Sequence, residues 1–282
     1  LLDGVMVGSI FALVAYGMAL VWGVMNIINV AQGEYVILGG YITFGIYKLG
    51  VSPIYGMPFS FLFLFILGYI LYRLIVFRVV DKDMFISILA TFGISIMIQQ
   101  FMNMFFGSQV ETALTGLGTI FFFDGNITIA LVKVFSFVIS ILGAIAVIYF
   151  MRVSKLGRAI RATAQNPRAA RILGVDTEKV YAYTYAINAG LCGLAGSLVA
   201  MTYTLHPYIG LPYTVRSFMI VIIAGLGNIP GVLVSGLGLG AIEEFSAYLI
   251  GSEFSIGVIF SLLVIILVYR SKKLAKKREY LK

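Results

Sequence analysis

Residues 157–174 read GRAIRATAQNPRAARILG, a basic, helix-forming segment set between long apolar runs that carry almost no charge. Asn166 is a suitable N-cap and Pro167 fits the first helical position. Ala169 and Ala170 favour helix, and Gly174 stands where a left-handed residue would close it. The segment is therefore read as a short helix with its own start and stop. Ile172 and Leu173 fall on one face while Arg168 and Arg171, three apart, share another, so it offers a partner both apolar and cationic contacts. Its setting decides the fold class, because a polar helix flanked by such runs reads as a loop between membrane spans.

Working outward, the 282 residues are 61% hydrophobic and 11% charged, with a mean hydropathy of +1.02, far from the quarter of charged residues usual in soluble domains. A span needs ~20 mostly apolar residues. Candidates lie near 4–25, 57–77, 84–106, 129–151, 181–203 and 254–270. Two further apolar regions, 35–49 and 213–250, are interrupted by glycine and polar residues, and the second is long enough to cross twice. The runs do not alternate with polar residues, which excludes a strand barrel. The expected fold is an all-α polytopic membrane protein with about 8–9 transmembrane segments, some of them broken or half helices. The chain opens on Leu1 rather than Met, so residues are expected to precede it.

The net charge of +8 raises nucleic-acid binding, but the placement of the charges argues against it. Three Lys or Arg lie in 73–83, seven in 152–179 and seven in 270–282, seventeen of the 20. Each cluster adjoins the end of an apolar run. The positive-inside rule puts all three in the cytoplasm and 50–56, 107–128 and 204–214 outside. Parity agrees, with two spans between the first two clusters and four between the second and the tail. The basic tail 270–282 reads as an anchor at anionic lipid. One domain, 1–282, is expected, with a cytoplasmic loop at 152–180 and a cytoplasmic C-terminus.

The interruptions carry the next inference. Asn26, Asn29, Gln32, Gly33 and Glu34 precede the run Tyr35–Leu49, which at ~1.5 Å per residue is short for a crossing. Gly225, Gly227, Asn228, Pro230 and Gly231 make a second break. Paired broken helices point to a midplane pathway in a transporter, since freed backbone groups must face protein or a water-filled cavity. Candidate pathway residues are Asn29, Gln32, Gly33, Glu34, Gln99, Asn188, Gly227 and Glu243, with structural pairing or a place at an interface as the alternative for Glu34 and Glu243, and hydrogen bonding between neighbouring helices as the alternative for Gln99, Gln100, Asn103 and Asn188. Gly190, Gly193, Gly196, Gly236 and Gly240 are expected to let helices pack closely. His206 stands alone beside Pro207, with no cluster to make a metal site, and Trp22 is read as an interfacial anchor. Cys192 leaves no internal disulfide to form.

In order along the chain, NIINVAQGEYVILGGY, GRAIRATAQNPRAARILGVD, AGLCGLAGSL and AGLGNIPGVLVSGLGLGAIE resemble the permease subunits of bacterial branched-chain amino acid ABC importers, over nearly the whole chain. The urea and short-chain amide permeases share much of this pattern. The family often has His where this chain has Gln32 and a small uncharged residue where it has Glu244, while Glu34 and Glu243 match its acidic positions. The resemblance implies an importer permease fold and import of leucine, isoleucine and valine by alternating access across the bacterial inner membrane. The implied partners are a second homologous permease subunit, two cytosolic ABC ATPase subunits carrying ATP-Mg, an external solute-binding protein and membrane lipid. By the same resemblance, Asn166, Pro167, Arg168, Ala169, Ala170, Arg171, Ile172, Leu173 and Gly174 form the helix that docks on an ATPase.

The chain has no G-x-x-x-x-G-K-[ST] loop, so ATP would be hydrolysed elsewhere and no cofactor is expected on this chain. A membrane-embedded enzyme is disfavoured by the single His and by the lack of an H-E-x-x-H motif. Urea or a short-chain amide stays open as an alternative cargo, and a passive channel as an alternative class.

Overall fold

The computed structural model describes residues 2–80, 82–122, 127–225 and 227–279; the expected tail at 270–282 passes beyond them at its last three positions. Eleven α-helices run through these residues, with one two-stranded hairpin. Six are long and apolar enough to cross a membrane: α1 (Leu2–Met25), α3 (Gly56–Leu74, flanked by 3-10 turns at Pro53–Tyr55 and Val76–Arg78), α4 (Met84–Phe106), α5 (Leu131–Val153), α8 (Thr177–Thr202) and α10 (Ile229–Ile250). Three more accompany them: α2 (Gln32–Lys48) and α9 (Gly210–Ala224), and at the edge, against α10, α11 (Ser252–Glu279), whose apolar part is Gly257–Val268. The expected eight to nine segments correspond to these nine. The helices α6 (Lys155–Gln165) and α7 (Pro167–Ile172) make the polar connection between α5 and α8. An antiparallel hairpin of β1 (Thr119–Phe122) and β2 (Ile127–Ala130) lies between α4 and α5, with Thr119 opposite Ala130. Composition does not foretell it, since four residues per strand leave no readable alternation.

Two helices form the centre. The most apolar window of α1 is 83% buried and that of α8 is 89%, against 33% or less for α3, α4, α5 and α10. Apolarity does not mark the central pair, since α5 is the most apolar of the six and only 22% buried; a helix facing lipid is as apolar as one facing protein. In lipid there is little hydrophobic gain in joining two helices, so close van der Waals approach must hold them together, and small residues permit it. A methyl group on Gly193 of α8 would lie 2.6 Å from the Ser60 carbonyl oxygen of α3. On the other side of the core, Gly4 and Gly8 of α1 meet Gly236 and Gly240 of α10 backbone to backbone. The Ser60 hydroxyl donates to the carbonyls of Gly39 (3.0 Å) and Gly193 (2.9 Å), tying α3 to α2 and α8 at once.

The ends of the bundle separate by charge. Lys48, Lys133 and Arg216, the three cations outside the basic clusters, each meet a carboxylate, of Glu111, Asp3 and Glu243 respectively. Glu111 also bridges to Leu205, which brings the α4–β1 and α8–α9 connections to one end. At the other end the turn after α5 carries α6, and Tyr69 of α3 packs on Tyr183 of α8 with ring centroids 5.6 Å apart. The basic clusters at 73–83 and 152–179 thus share one end, as the positive-inside reading requires. Cys192 is fully buried, so the native thiol contributes no background to labelling. A cysteine replacing exposed Gln165 should react only with reagents that reach the cytoplasm, and one replacing Leu114, 68% exposed, only from outside. Thiol labelling in intact cells and in inverted vesicles checks this, and outside reaction at position 165 inverts the topology.

Candidate functional site

The break after α1 is built around Asn26, the one non-glycine with positive φ (54°) among the described residues. Asn tolerates this left-handed conformation better than most side chains. Residues 26–31 then leave helical geometry within the bundle, so their backbone groups need partners from other helices. Two threonines supply them. Thr91 of α4 accepts from the Val30 amide (3.2 Å) and lies 3.2 Å from the Ile28 carbonyl. Thr214 of α9 accepts from the Gly33 amide (2.8 Å) and donates to the Val30 carbonyl (3.0 Å).

Side chains of the break form a buried polar cluster with α8. Gln32 donates to the Val14 carbonyl in the middle of α1 (2.9 Å) and accepts from Asn29 (3.3 Å). Tyr185 donates to Asn29 (3.4 Å), and its hydroxyl lies 2.9 Å from that of Tyr35. Asn188 packs with Gln32 over Gly17, and its Nδ2 is buried without a hydrogen-bond partner. Glu34 accepts from Ser95 of α4 (3.3 Å), while its other oxygen, Oε2, is buried and unpartnered against Gly210. Gly33 and Gly210 meet so closely that a methyl on Gly33 would overlap the Gly210 carbonyl. Two helix starts, those of α2 and α9, therefore face each other inside the bundle.

The expected pathway residues fall in three places. Asn29, Gln32, Gly33, Glu34 and Asn188 join at this junction, all of them buried. Gln99 is half-buried on α4 one turn beyond Ser95. Gly227 lies at the far end, in a crevice with Gly23 and Arg161, where its φ of 81° serves the tight α9–α10 turn. Glu243 of α10 is in a separate cavity of about 320 Å³ lined by Phe11, Tyr203, Tyr213, Arg216, Glu244 and Ser255 among others. There Arg216 Nε donates to both Glu243 oxygens (3.1 and 2.9 Å), and Nη2 donates to Glu243 as well. The guanidinium carbon lies 5.0 Å from the Phe11 ring centre, a cation–π distance.

Sequence reasoning passed over Arg216, Thr91, Thr214 and Ser95. For Arg216 a signal existed, since an isolated arginine in an apolar run demands a counter-charge. For the hydroxyls there was none, because such residues often satisfy carbonyls of their own helix. Trp22, expected at an interface, stacks on Phe218 at 5.0 Å.

The basic end presents a second kind of site. Asn166 Oδ1 accepts from the amides of Arg168 (3.0 Å) and Ala169 (3.1 Å), and Pro167 opens α7. Gly174, with φ 85°, closes it, and the Val175 amide returns to the Ala170 carbonyl. Ala170 is buried, whereas Ile172 and Leu173 are 86% and 82% exposed. Arg171 Nε donates to Thr177 (2.6 Å), which fixes α7 to the start of α8. Asp176 caps α8, and hydrogen bonds from the Lys179 side chain and amide hold its carboxyl below the usual range. The helix is thus capped at both ends and bares two aliphatic side chains at its close. Among the described residues no group of His, Cys, Asp and Glu could hold a metal ion.

Six helices of membrane-spanning length and apolarity, with discontinuous helices meeting at a buried polar junction, are the build of a multi-pass membrane protein. Residues 1–269 match the model of the family described as branched-chain amino acid transport system, permease component, and the chain belongs to that family. It is similar to the high-affinity branched-chain amino acid transport system permease protein LivH of Salmonella typhimurium, 29% identical over 94% of this chain and 91% of that protein. The corresponding protein BraD of Pseudomonas aeruginosa is 30% identical over 96% and 92%. A probable branched-chain amino acid transport permease LivH of Methanocaldococcus jannaschii is 28% identical over 91% and 84%. No solved structure matches the chain at a significant level.

Proposed function

We propose that this chain is a membrane subunit of an ABC importer that moves leucine, isoleucine and valine across the bacterial inner membrane. It works with a second homologous permease subunit, two cytosolic ATPases that bind ATP-Mg and an external solute-binding protein. The observation that carries the reading is α7, a capped helix that bares Ile172 and Leu173 at the basic end of the bundle. Docked on an ATPase, α7 passes the closure of the nucleotide sites to α8 through the Arg171–Thr177 bond and the short turn at Gly174. Because α8 is the most enclosed helix, tilting it moves its neighbours, and the bundle alternates between access from outside and from inside. The junction of α2 and α9 is where such a change is accommodated. Helix starts held by side-chain hydroxyls can exchange partners without unwinding a whole helix.

Reconstitution of the full complex in proteoliposomes tests this. Uptake of labelled leucine is expected to need internal ATP and the external binding protein. Leucine entry independent of ATP would establish a passive channel, and uptake of urea in place of leucine would replace the cargo.

A further inference from the structure

The cavity around Arg216 and Glu243 holds more charge than packing of α9 on α10 requires. Its volume, about 320 Å³, lies at the lower end of ligand-sized pockets, and among the described residues its walls combine one guanidinium and two carboxylates with Phe11, Tyr203 and Tyr213. The pair itself is largely shielded, with side chains 15% exposed on each partner. Replacing a buried ion pair by apolar packing is often neutral or stabilising, so such a pair lining an open cavity is weak as a structural device. It is well suited to exchange. We propose that Arg216 and Glu243 form a charge clasp for a zwitterionic amino acid, resting on the importer reading above.

With the cavity empty the two side chains neutralise each other. An entering amino acid replaces both halves together: its carboxylate takes the guanidinium, whose planar fork matches it, and its ammonium takes the carboxylate of Glu243, with Glu244 beside it. The aliphatic side chain then lies against the rings of Phe11, Tyr203 and Tyr213. Charge pairing is conserved in the exchange, which keeps the barrier to entry and release low. A ligand carrying only one of the two charges leaves one member of the pair uncompensated and is rejected, and uncharged urea can open neither half.

The test uses the complete complex in nanodiscs, without the binding protein, and equilibrium binding of labelled leucine. Leucinamide lacks the carboxylate and 4-methylpentanoate lacks the ammonium. Each should compete roughly 100-fold less well than leucine, as expected where one buried group of the site is left without its partner. Arg216→Met should abolish the preference for leucine over leucinamide, and Glu243→Gln the preference over 4-methylpentanoate. Arg216→Lys should keep both in weakened form. Where a single variant fails to assemble, Ala247→Phe serves instead, because it fills the cavity and leaves the pair intact; it should lose leucine binding. Unchanged preferences in the variants, leucine binding by Ala247→Phe at wild-type affinity, or no leucine binding by the wild-type complex would overturn the clasp. Wild-type uptake in proteoliposomes separates the two levels. Leucine uptake with unaltered preferences sinks the clasp alone, whereas absence of any amino acid uptake sinks the importer reading beneath it.

Discussion

Replacing Gly33 by Ala should cost the protein its fold, or at least ~3 kcal/mol of stability, although alanine is the better helix former by about 1 kcal/mol. The reason is contact, since the added methyl would overlap the carbonyl of Gly210, a backbone atom at the start of a packed helix, and would crowd the Thr214 hydroxyl that accepts from the Gly33 amide. Neither can yield without moving α9. Gly238→Ala is the control, because that glycine is also helical and has open space where its methyl would go. Thermal unfolding of the detergent-purified complex should be near wild-type for Gly238→Ala. Gly33→Ala should yield little assembled complex, or a midpoint lower by many degrees. Equal midpoints for the two variants would mean that α9 does not pack on α2 as described.

The contrast between these glycines marks what the sequence could and could not convey. The class and the long spans follow from composition alone, because hydrocarbon forces long apolar helices. The first break was legible as well, since Asn26, Asn29, Gln32 and Glu34 are too polar to lie unsupported in an apolar run. Its counterpart was not. Sequence reasoning pairs the break with the glycines at 225–231, whereas the residue that meets Gly33 is Gly210. Gly225 and Gly227 have positive φ and serve a turn, a local role that composition makes conspicuous. Gly210 matters only through what packs on it, and nothing in HPYIGLPYT distinguishes it from a glycine in an external loop.

The same limit applies to charge. Glu34 and Glu243 stand out in the sequence for one reason, an acid in an apolar setting, yet their surroundings differ. Glu243 is matched by a guanidinium in a cavity, while Glu34 has one hydroxyl donor and a bare, buried oxygen against Gly210. Pairing is a property of helices brought together from 27 residues apart, α9 and α10, and only the fold supplies it. Capping, by contrast, is local. Asn166, Pro167 and Gly174 act over a few residues, and the structure places each where its chemistry predicts.

That local rigidity leads to the other large effect. Ile172→Asp combined with Leu173→Asp should abolish ATP-driven uptake, lowering it by at least tenfold, and should strip the ATPase from the purified complex. Two aliphatic side chains exposed by more than four-fifths contribute almost nothing to the stability of the isolated bundle. In an interface, a few such anchors carry most of the binding energy, about 1–3 kcal/mol apiece on truncation, and a carboxylate buried in their place adds its own desolvation cost. The thermal midpoint of the membrane subunits alone should therefore be unchanged while copurified ATPase falls. Asn166→Ala should give a partial version, since losing the cap costs about 1 kcal/mol of helix stability and leaves the contact side chains in place. Wild-type uptake and wild-type ATPase content in the double variant would show that α7 is only a solvated connection, and the lever running from α7 through Arg171 and Thr177 into α8 would have no load to carry.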